Sequence, residues 1–472
     1  MKRKTYTFIA FLLIGCSVKA ADYHIGPGQP LSAIADVDWT TLQAGDRVYI
    51  HWRSTPYREK WVINVQGTAQ NPISIIGVNG PNGQQPVIDG ENAVTVAGLN
   101  FWNELRGVIK IGGSNVPSDG LPQHIIIENL DIRSGHPDYQ FTNDEGQTET
   151  YSNNAAAIYV EKAAHLTIRN CSLSNSGNGL FIGAFNGQTE NILIEKNHIY
   201  GNGVVGRIYE HNTYTAAIDI TYQFNRFGPL KAGAGGNNLK DRSAGLVVAY
   251  NWIEGGNRQL DLVDAEDSSV LVNHPSYNET HVYGNILIEP DNDGNSQMIH
   301  YGGDSGTLAD YRKGTLHLYN NTFISQRSGN TTLVRLSTND ESTEVFNNIY
   351  YGTASGHTLA LMAGNGTLNY QHNWLKTNYS DCHCSPNGVV NNLGNQITGS
   401  TPDFIDLNSQ NYRLNINAAS INQGMAIPTN LSTHSPQFEY QKHQQAQPRL
   451  NDGILDIGAY ETIDLIFADG FE

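Results

Sequence analysis

Cations are scarce in this chain. Its 472 residues carry 28 Lys and Arg against 45 Asp and Glu, a formal net charge of −17. So negative a balance argues against nucleic acid as a partner, because phosphate backbones are held by basic stripes. Long apolar runs are also missing. Beyond the N-terminus no stretch reaches the roughly 18 uninterrupted apolar residues of a membrane span, so none is expected. Cysteine is sparse, with four in all. Cys171 suits a small buried hydrophobe. Cys382-His383-Cys384 is spaced more tightly than zinc patterns, and no second cluster completes four ligands. A local loop disulfide or free thiols are expected there, with zinc the minor alternative.

The N-terminus reads as an export signal over residues 1–20. Lys2, Arg3 and Lys4 precede the apolar run from Phe8 to Gly15, and Val18-Lys19-Ala20 offers a cleavage site before Ala21. Leu13-Ile14-Gly15-Cys16 also resembles a bacterial lipobox, which would leave Cys16 lipidated. The expected location is outside the cell, either secreted or anchored at the surface.

What is abundant is a repeated phrase, a short β-rich run ending in Asn and then an apolar residue. It closes at Asn170, Asn197, Asn225, Asn251, Asn285, Asn321, Asn348 and Asn373, at intervals of 25 to 36 residues. A period of this size marks a solenoid with one coil per repeat. Strands and turns as units make the fold all-β, a β-helix. Asn suits the bend after a strand because it tolerates left-handed backbone, and stacked Asn side chains form ladders. A structural role is therefore expected for these residues.

Each coil is expected to carry a second strand, at 179–183, 208–215, 237–243, 258–264, 297–303 and 331–337. Residues 22–90, with a short helical stretch and a strand holding Val48 and Ile50, read as an N-terminal cap over the first coil. Residues 22–400 form the β-helix with this cap, and 401–472 form a closing segment and tail. Two excursions, at 135–155 and 226–236, are expected as loops on one face, where binding groups often sit.

"LQAGDRVYI", "GTAQNPISIIG" and "PVIDG" resemble the N-terminal coils of bacterial right-handed parallel β-helix proteins of the pectate-lyase-like superfamily. "YRLNINAASINQG" and "DIGAYE" resemble the closing segment of exported β-helix proteins, and "DLIFADGFE" a short tail found on them. The resemblance implies a right-handed parallel β-helix with a short C-terminal tail. It does not select among the lyases, hydrolases, epimerases and adhesins that use this fold.

A basic island interrupts the acidic chain between residues 207 and 242, with Arg207, Arg226, Lys231, Lys240 and Arg242. An anionic sugar is the partner it suits. Asn238, Lys240 and Arg242 lie two apart, so a strand there shows them on one face. His211, Asn212 and Tyr214 stand on the coil before. Asp261, between inward Leu260 and Leu262, stands on the coil after, followed by His300 and Arg335. These form an outward ladder suited to β-elimination of a uronate polysaccharide. Lys240 is the candidate base, its pKa lowered by Arg242, with ion pairing to Asp261 on the adjacent coil as the structural alternative. Arg242 or Asn238 holds the carboxylate, and Tyr214 or His211 protonates the leaving group. Asn212, Asp261, His300 and Arg335 complete the substrate-binding set.

"NNLKDRS" followed by a coil Asn also resembles the lysine-bearing coil of the alginate lyase and chondroitinase B family. There a Lys is the base and an Arg one coil later acts near the leaving group. Lys240 matches the Lys. The Arg position reads Leu260-Asp261-Leu262, with Arg258 nearby and off register.

Other readings stay open. A glycoside hydrolase would pair Asp261 with Asp264 or Asp304. A non-catalytic surface protein would bind glycan through Tyr and Asn. No cofactor is certain. Calcium is a candidate at Asp264, Glu266 and Asp267, or at Asp291, Asp293 and Asn295, with turn chemistry as the bland alternative. A monomer acting on an acidic polysaccharide is expected.

Overall fold

The computed structural model describes residues 20–462, apart from 292, 357 and 451. The export signal, Cys16 and the "DLIFADGFE" tail lie outside the described residues.

The chain winds as a right-handed parallel β-helix. Each full coil has three strands, one more than the repeat suggested. One coil runs Ala244–Ala249, turns at Tyr250 and Asn251, continues through Trp252–Glu254 and ends with Leu260–Leu262. Stacked coils make sheets of 13, 11 and 13 strands, paired in parallel except for an added antiparallel hairpin. The short strand after each Asn is only two to four residues in most coils, too brief for alternation to reveal it.

Alternation builds the core. In the third sheet Leu239, Leu260, Ile299 and Val334 are in register and fully buried. The residues between them face outward. At the N-terminal end, Ile34, Val37, Trp39 and Leu42 bury themselves over the first coil. The strands of that region, Asp22–Ile25 and Arg47–His51, already belong to the first sheet.

The repeated Asn residues form a buried ladder from Asn197 through Asn225, Asn251, Asn285, Asn321 and Asn348 to Asn373. Asn251 shows the pattern. Its Nδ2 donates to Asn285 Oδ1 at 3.0 Å and to Tyr222 O at 3.0 Å, and its Oδ1 accepts from Asn225 N and Nδ2, both at 2.9 Å. The side chain is thus satisfied inside the protein. The left-handed residue is the one before the ladder Asn, as at Tyr250 (φ 57°) and Asn347 (φ 55°). Asn170 (φ 52°) takes that preceding position, and Cys171 takes the ladder place, donating its N–H to Asn197 Oδ1 at 2.9 Å. Cys171 is buried and unbonded to another cysteine, while Cys382 and Cys384 form a disulfide, which removes both sulfurs as zinc ligands.

Parallel pairing ends at Ile397–Gly399. The chain then doubles back. Residues 423–444 run along the turns between the first two sheets: Gln423 O meets His372, Met425 N donates to Asn347, Tyr319 donates to His434 O, Gln437 N donates to Tyr250, and Gln444 donates to Lys196 O. "DIGAYE" is buried, with Glu461 paired to Arg449 at 2.7 Å. Among the described residues no helix is long and apolar enough to cross a membrane.

Candidate functional site

The outward ladder of the third sheet has the register expected from alternation. Phe181 pairs with Tyr214, Tyr214 with Lys240, Lys240 with Asp261, Asp261 with His300, and His300 with Arg335. The ladder floors a cleft of about 680 Å³, walled by His211, Arg242, Arg258 and Asp304. Tyr214 also faces an adjoining cavity of about 400 Å³, lined by Arg106, Phe181 and Tyr209.

Loops raise the walls. Only Thr213–Thr215 of the segment expected as a strand at 208–215 is one; residues before it form a loop bearing Tyr209 and His211. In the excursion at 226–236, Arg226–Phe227 is a strand and the remainder is loop. The excursion at 135–155 is an antiparallel hairpin, Gln140–Thr142 with Thr148–Thr150, and its end brings Ser152, Asn153 and Asn154 to the smaller cavity.

Two sequence candidates leave the site. Asn212 and Asn238 are fully buried. Asn212 donates to Gly228 O at 2.9 Å and to Asn238 Oδ1 at 2.7 Å, while Asn238 donates to Glu254 O at 2.9 Å. They form a second structural Asn stack at a turn. Regular alternation begins only at Leu239, so Asn238 does not share the face of Lys240.

The basic island is neutralised by carboxylates from later coils. Lys240 Nζ lies 2.8 Å from Asp261 Oδ2 and 2.5 Å from Asp304 Oδ2. Arg242 reaches Asp304 Oδ1 at 2.9 Å, Glu266 at 3.0 Å and the Tyr214 hydroxyl oxygen at 2.9 Å. This reverses the expectation for Lys240. Burial and Arg242 pull its pKa down, but Asp261 and Asp304 together outweigh them and the net shift is upward. Lys240 therefore holds its proton and acts as a charge. Burial opposes ionisation of Asp261, but Lys240, His300 and Arg258 hold it well below the usual carboxylate range. Asp304 is depressed as well, by Lys240 and Arg242 against burial.

Both histidines are neutral. Burial lowers His300, whose Nδ1 sits 2.9 Å from Asp261 Oδ1 and whose Nε2 sits 2.9 Å from Ser337 Oγ. A carboxylate beside Nδ1 assigns the proton there. Burial, then Lys240, pushes His211 down to about 3. Its Nδ1 accepts from Asn237 N at 2.8 Å, so the proton is on Nε2 and His211 is a donor.

Four of the acidic groups singled out for calcium have partners within the protein. Asp264 accepts from Asp304 N at 2.8 Å, Glu266 pairs with Arg242, Asp293 accepts from Gly256 N at 2.9 Å, and Asp291 accepts from Ser328 N at 2.9 Å. Among the described residues no three His, Cys, Asp or Glu side chains converge as a metal site.

Arg106, Phe181, Tyr209 and Ser337 were not singled out from the sequence. Phe181 carried a signal, lying between inward Leu180 and Ile182. In sequence Asp304 stands out only as a hydrolase carboxylate, because its pairing with Lys240 spans 64 residues. Gly302 beside it takes φ 130°, and a side chain there would strike Ser337, so the Gly-Gly-Asp turn was the available clue.

No protein-family model matches the chain, and no curated protein matches it. Solved structures do. The chain is similar to pectate lyase Pel9A at 10% identity, over 95% of this chain and 98% of that one, with a TM-score of 0.50. It is similar to an alginate lyase from Paenibacillus sp. str. FPU-7 at 12% identity, over 74% and 93%, with a TM-score of 0.43. A GH136 lacto-N-biosidase from Eubacterium ramulus follows at 13% identity, over 80% and 68%, with a TM-score of 0.42. Lyases and glycoside hydrolases are thus both among the similar structures, and at these identities the likeness concerns the fold. The chain is a right-handed parallel β-helix whose architecture resembles that of pectate lyase Pel9A.

Proposed function

We propose that this protein is an exported lyase that cleaves a uronate-containing polysaccharide by β-elimination in the cleft above Tyr214 and Lys240. One observation carries the reading. The Asp304 carboxylate bridges Lys240 and Arg242, and the same Arg242 holds the Tyr214 hydroxyl. A carboxylate therefore has a seat of two cations directly beside a phenol. Asp304 is about one-third exposed, whereas Asp261 is buried, so Asp304 is the partner a substrate carboxylate displaces.

In this reading Tyr214 is the acid–base group. Arg242 donates to its oxygen, and that oxygen removes the proton α to the substrate carboxylate. Charge growing on that carboxylate is met by Lys240, Arg242 and the Nε2–H of His211. The β carbon–oxygen bond breaks, a carbon–carbon double bond forms, and the phenol returns the proton to the leaving oxygen. Asp261 and His300 position Lys240 from below. This moves the base from Lys240 to Tyr214, in keeping with the raised pKa of Lys240.

The test is a product assay with alginate, pectate, glucuronan and glycosaminoglycans. Ultraviolet absorbance from the unsaturated product, absent in Tyr214→Phe, supports the reading. New reducing ends without that absorbance support hydrolysis, for which Asp261 and Asp304, 2.8 and 2.5 Å from Lys240 Nζ, are the candidate carboxylate pair. Binding without either product supports a glycan-binding surface protein.

A further inference from the structure

Six cations line the cleft and its adjoining cavity: Arg106, Arg207, Lys240, Arg242, Arg258 and Arg335. Four have carboxylate partners. Arg207 pairs with Glu210, Lys240 and Arg242 share Asp304, and Arg258 faces Asp261 at 3.8 Å. Among the described residues Arg106 and Arg335 have none. They stand at opposite ends of the ladder, with Tyr214 between.

Arg106 is not loosely placed. Its guanidinium lies 4.7 Å from the centroids of both Tyr159 and Phe181, whose rings stack at 4.8 Å and 7°. Its Nε is buried without a hydrogen-bond partner. A guanidinium with no carboxylate partner, lining a cavity bordered by aromatic rings, fits a sugar ring carrying an anionic group, with the ring on the aromatic face and the anion on the guanidinium. Tyr209, 67% exposed, overhangs the same cavity. At the far end Arg335 is exposed on the strand after His300.

We infer that Arg106 with Phe181 and, at the opposite end, Arg335 are two anion-binding subsites that hold one polyuronate strand across Tyr214, so that the chain is gripped on both sides of the cleaved bond and cut internally. This rests on the lyase reading for the position of the cut. From Phe181 to Arg335 is five strand spacings, about 24 Å. A pyranose unit is about as long as one spacing, so the strand that reaches both guanidiniums has on the order of five units.

The test reads binding without turnover. Size-defined oligogalacturonates and oligoguluronates, from dimer to octamer, are titrated calorimetrically into the full mature chain carrying Tyr214→Phe. Affinity should climb with length and level off near five units. Adding Arg106→Ala or Arg335→Ala should each lower the affinity of the longest oligomers about ten- to a hundredfold, as expected for one hydrogen-bonded charge contact, and leave trimers within about twofold. Arg106→Lys should restore part of the loss. An affinity that is flat with length, or long oligomers bound equally by both Ala variants, overturns the inference. The outcomes separate the two readings. If the lyase reading alone fails, the length dependence persists and the otherwise unmodified chain makes no unsaturated product. If this inference alone fails, unsaturated product forms but binding saturates at short oligomers.

Discussion

Asp304 Oδ1 lies 2.9 Å from Arg242 Nη2, while its other oxygen lies 2.5 Å from Lys240 Nζ. The loop carboxylate thereby fills the cationic seat proposed for the substrate, and substrate must compete with it.

Asp304→Asn should weaken that competition. The expected outcome is a KM lowered about three- to tenfold, with kcat within a factor of a few. Initial rates on whichever polyuronate is cleaved provide the measurement. A raised KM would mean that Asp304 binds substrate itself.

Tyr214→Phe keeps the ring and removes the oxygen. It should lower kcat by about a hundredfold or more, the usual weight of one acid–base group, with the Kd for oligouronates nearly unchanged. Arg242→Lys should lower kcat as well, because a single ammonium cannot serve Tyr214, Glu266 and Asp304 together. Comparable loss of binding in Tyr214→Phe would make the tyrosine a sugar contact only.

The two kinds of turn Asn should differ in stability. Asn251→Ala strips partners from Asn225, Asn285 and Tyr222 O, each buried. At roughly 1–3 kcal/mol per orphaned group, the loss should exceed about 3 kcal/mol. Asn170→Ala lies outside the ladder and should cost no more than about 1–2 kcal/mol, for placing alanine in left-handed backbone. Urea denaturation midpoints for the two variants, compared at equal slope, test the contrast.

Stability should fall as the medium turns acidic. Burial holds His211 and His281 down to about 3 and His198 and His443 to about 4, against an unfolded value of about 6.5. Between these limits the unfolded chain binds the extra protons, so stability is intact above about pH 6.5 and is lost as pH drops toward 4. Glu289 and Glu461, raised to about 7 by burial, act in the opposite sense, losing stability as pH rises from about 4.3 to 7. The histidines outnumber them, so melting temperature should decline from pH 6.5 to 4. A flat profile would show these rings protonating inside the fold.

The coil stacking was legible because alternation is local and each coil repeats it. Leu239, Leu260 and Leu262 marked the inward face, which placed Lys240, Asp261, His300 and Arg335 in register on the other. Asn238 was misread because it stands just before the strand, where alternation does not yet apply. Charge was the larger gap. The island at 207–242 keeps a local excess of only two positive charges over Glu210, Asp219 and Asp241, and Asp261 was legible as a partner of Lys240, but Glu266 and Asp304 fold back onto it from later coils. Only contact across coils reverses the direction of the Lys240 shift. Arg106 carried no signal either, since its partners Tyr159 and Phe181 lie on two later coils.

The doubled-back segment at 423–444 bears on how the whole stack comes apart. In a solenoid each coil touches only its neighbours, and unfolding can start at either end and spread. Here one span of chain is tied in succession to His372, Asn347, Tyr319, Tyr250 and Lys196. The coils between cannot fray singly without tearing it loose. A row of separable units is thereby expected to melt as a single cooperative body, held by a truss that runs along an edge away from the cleft.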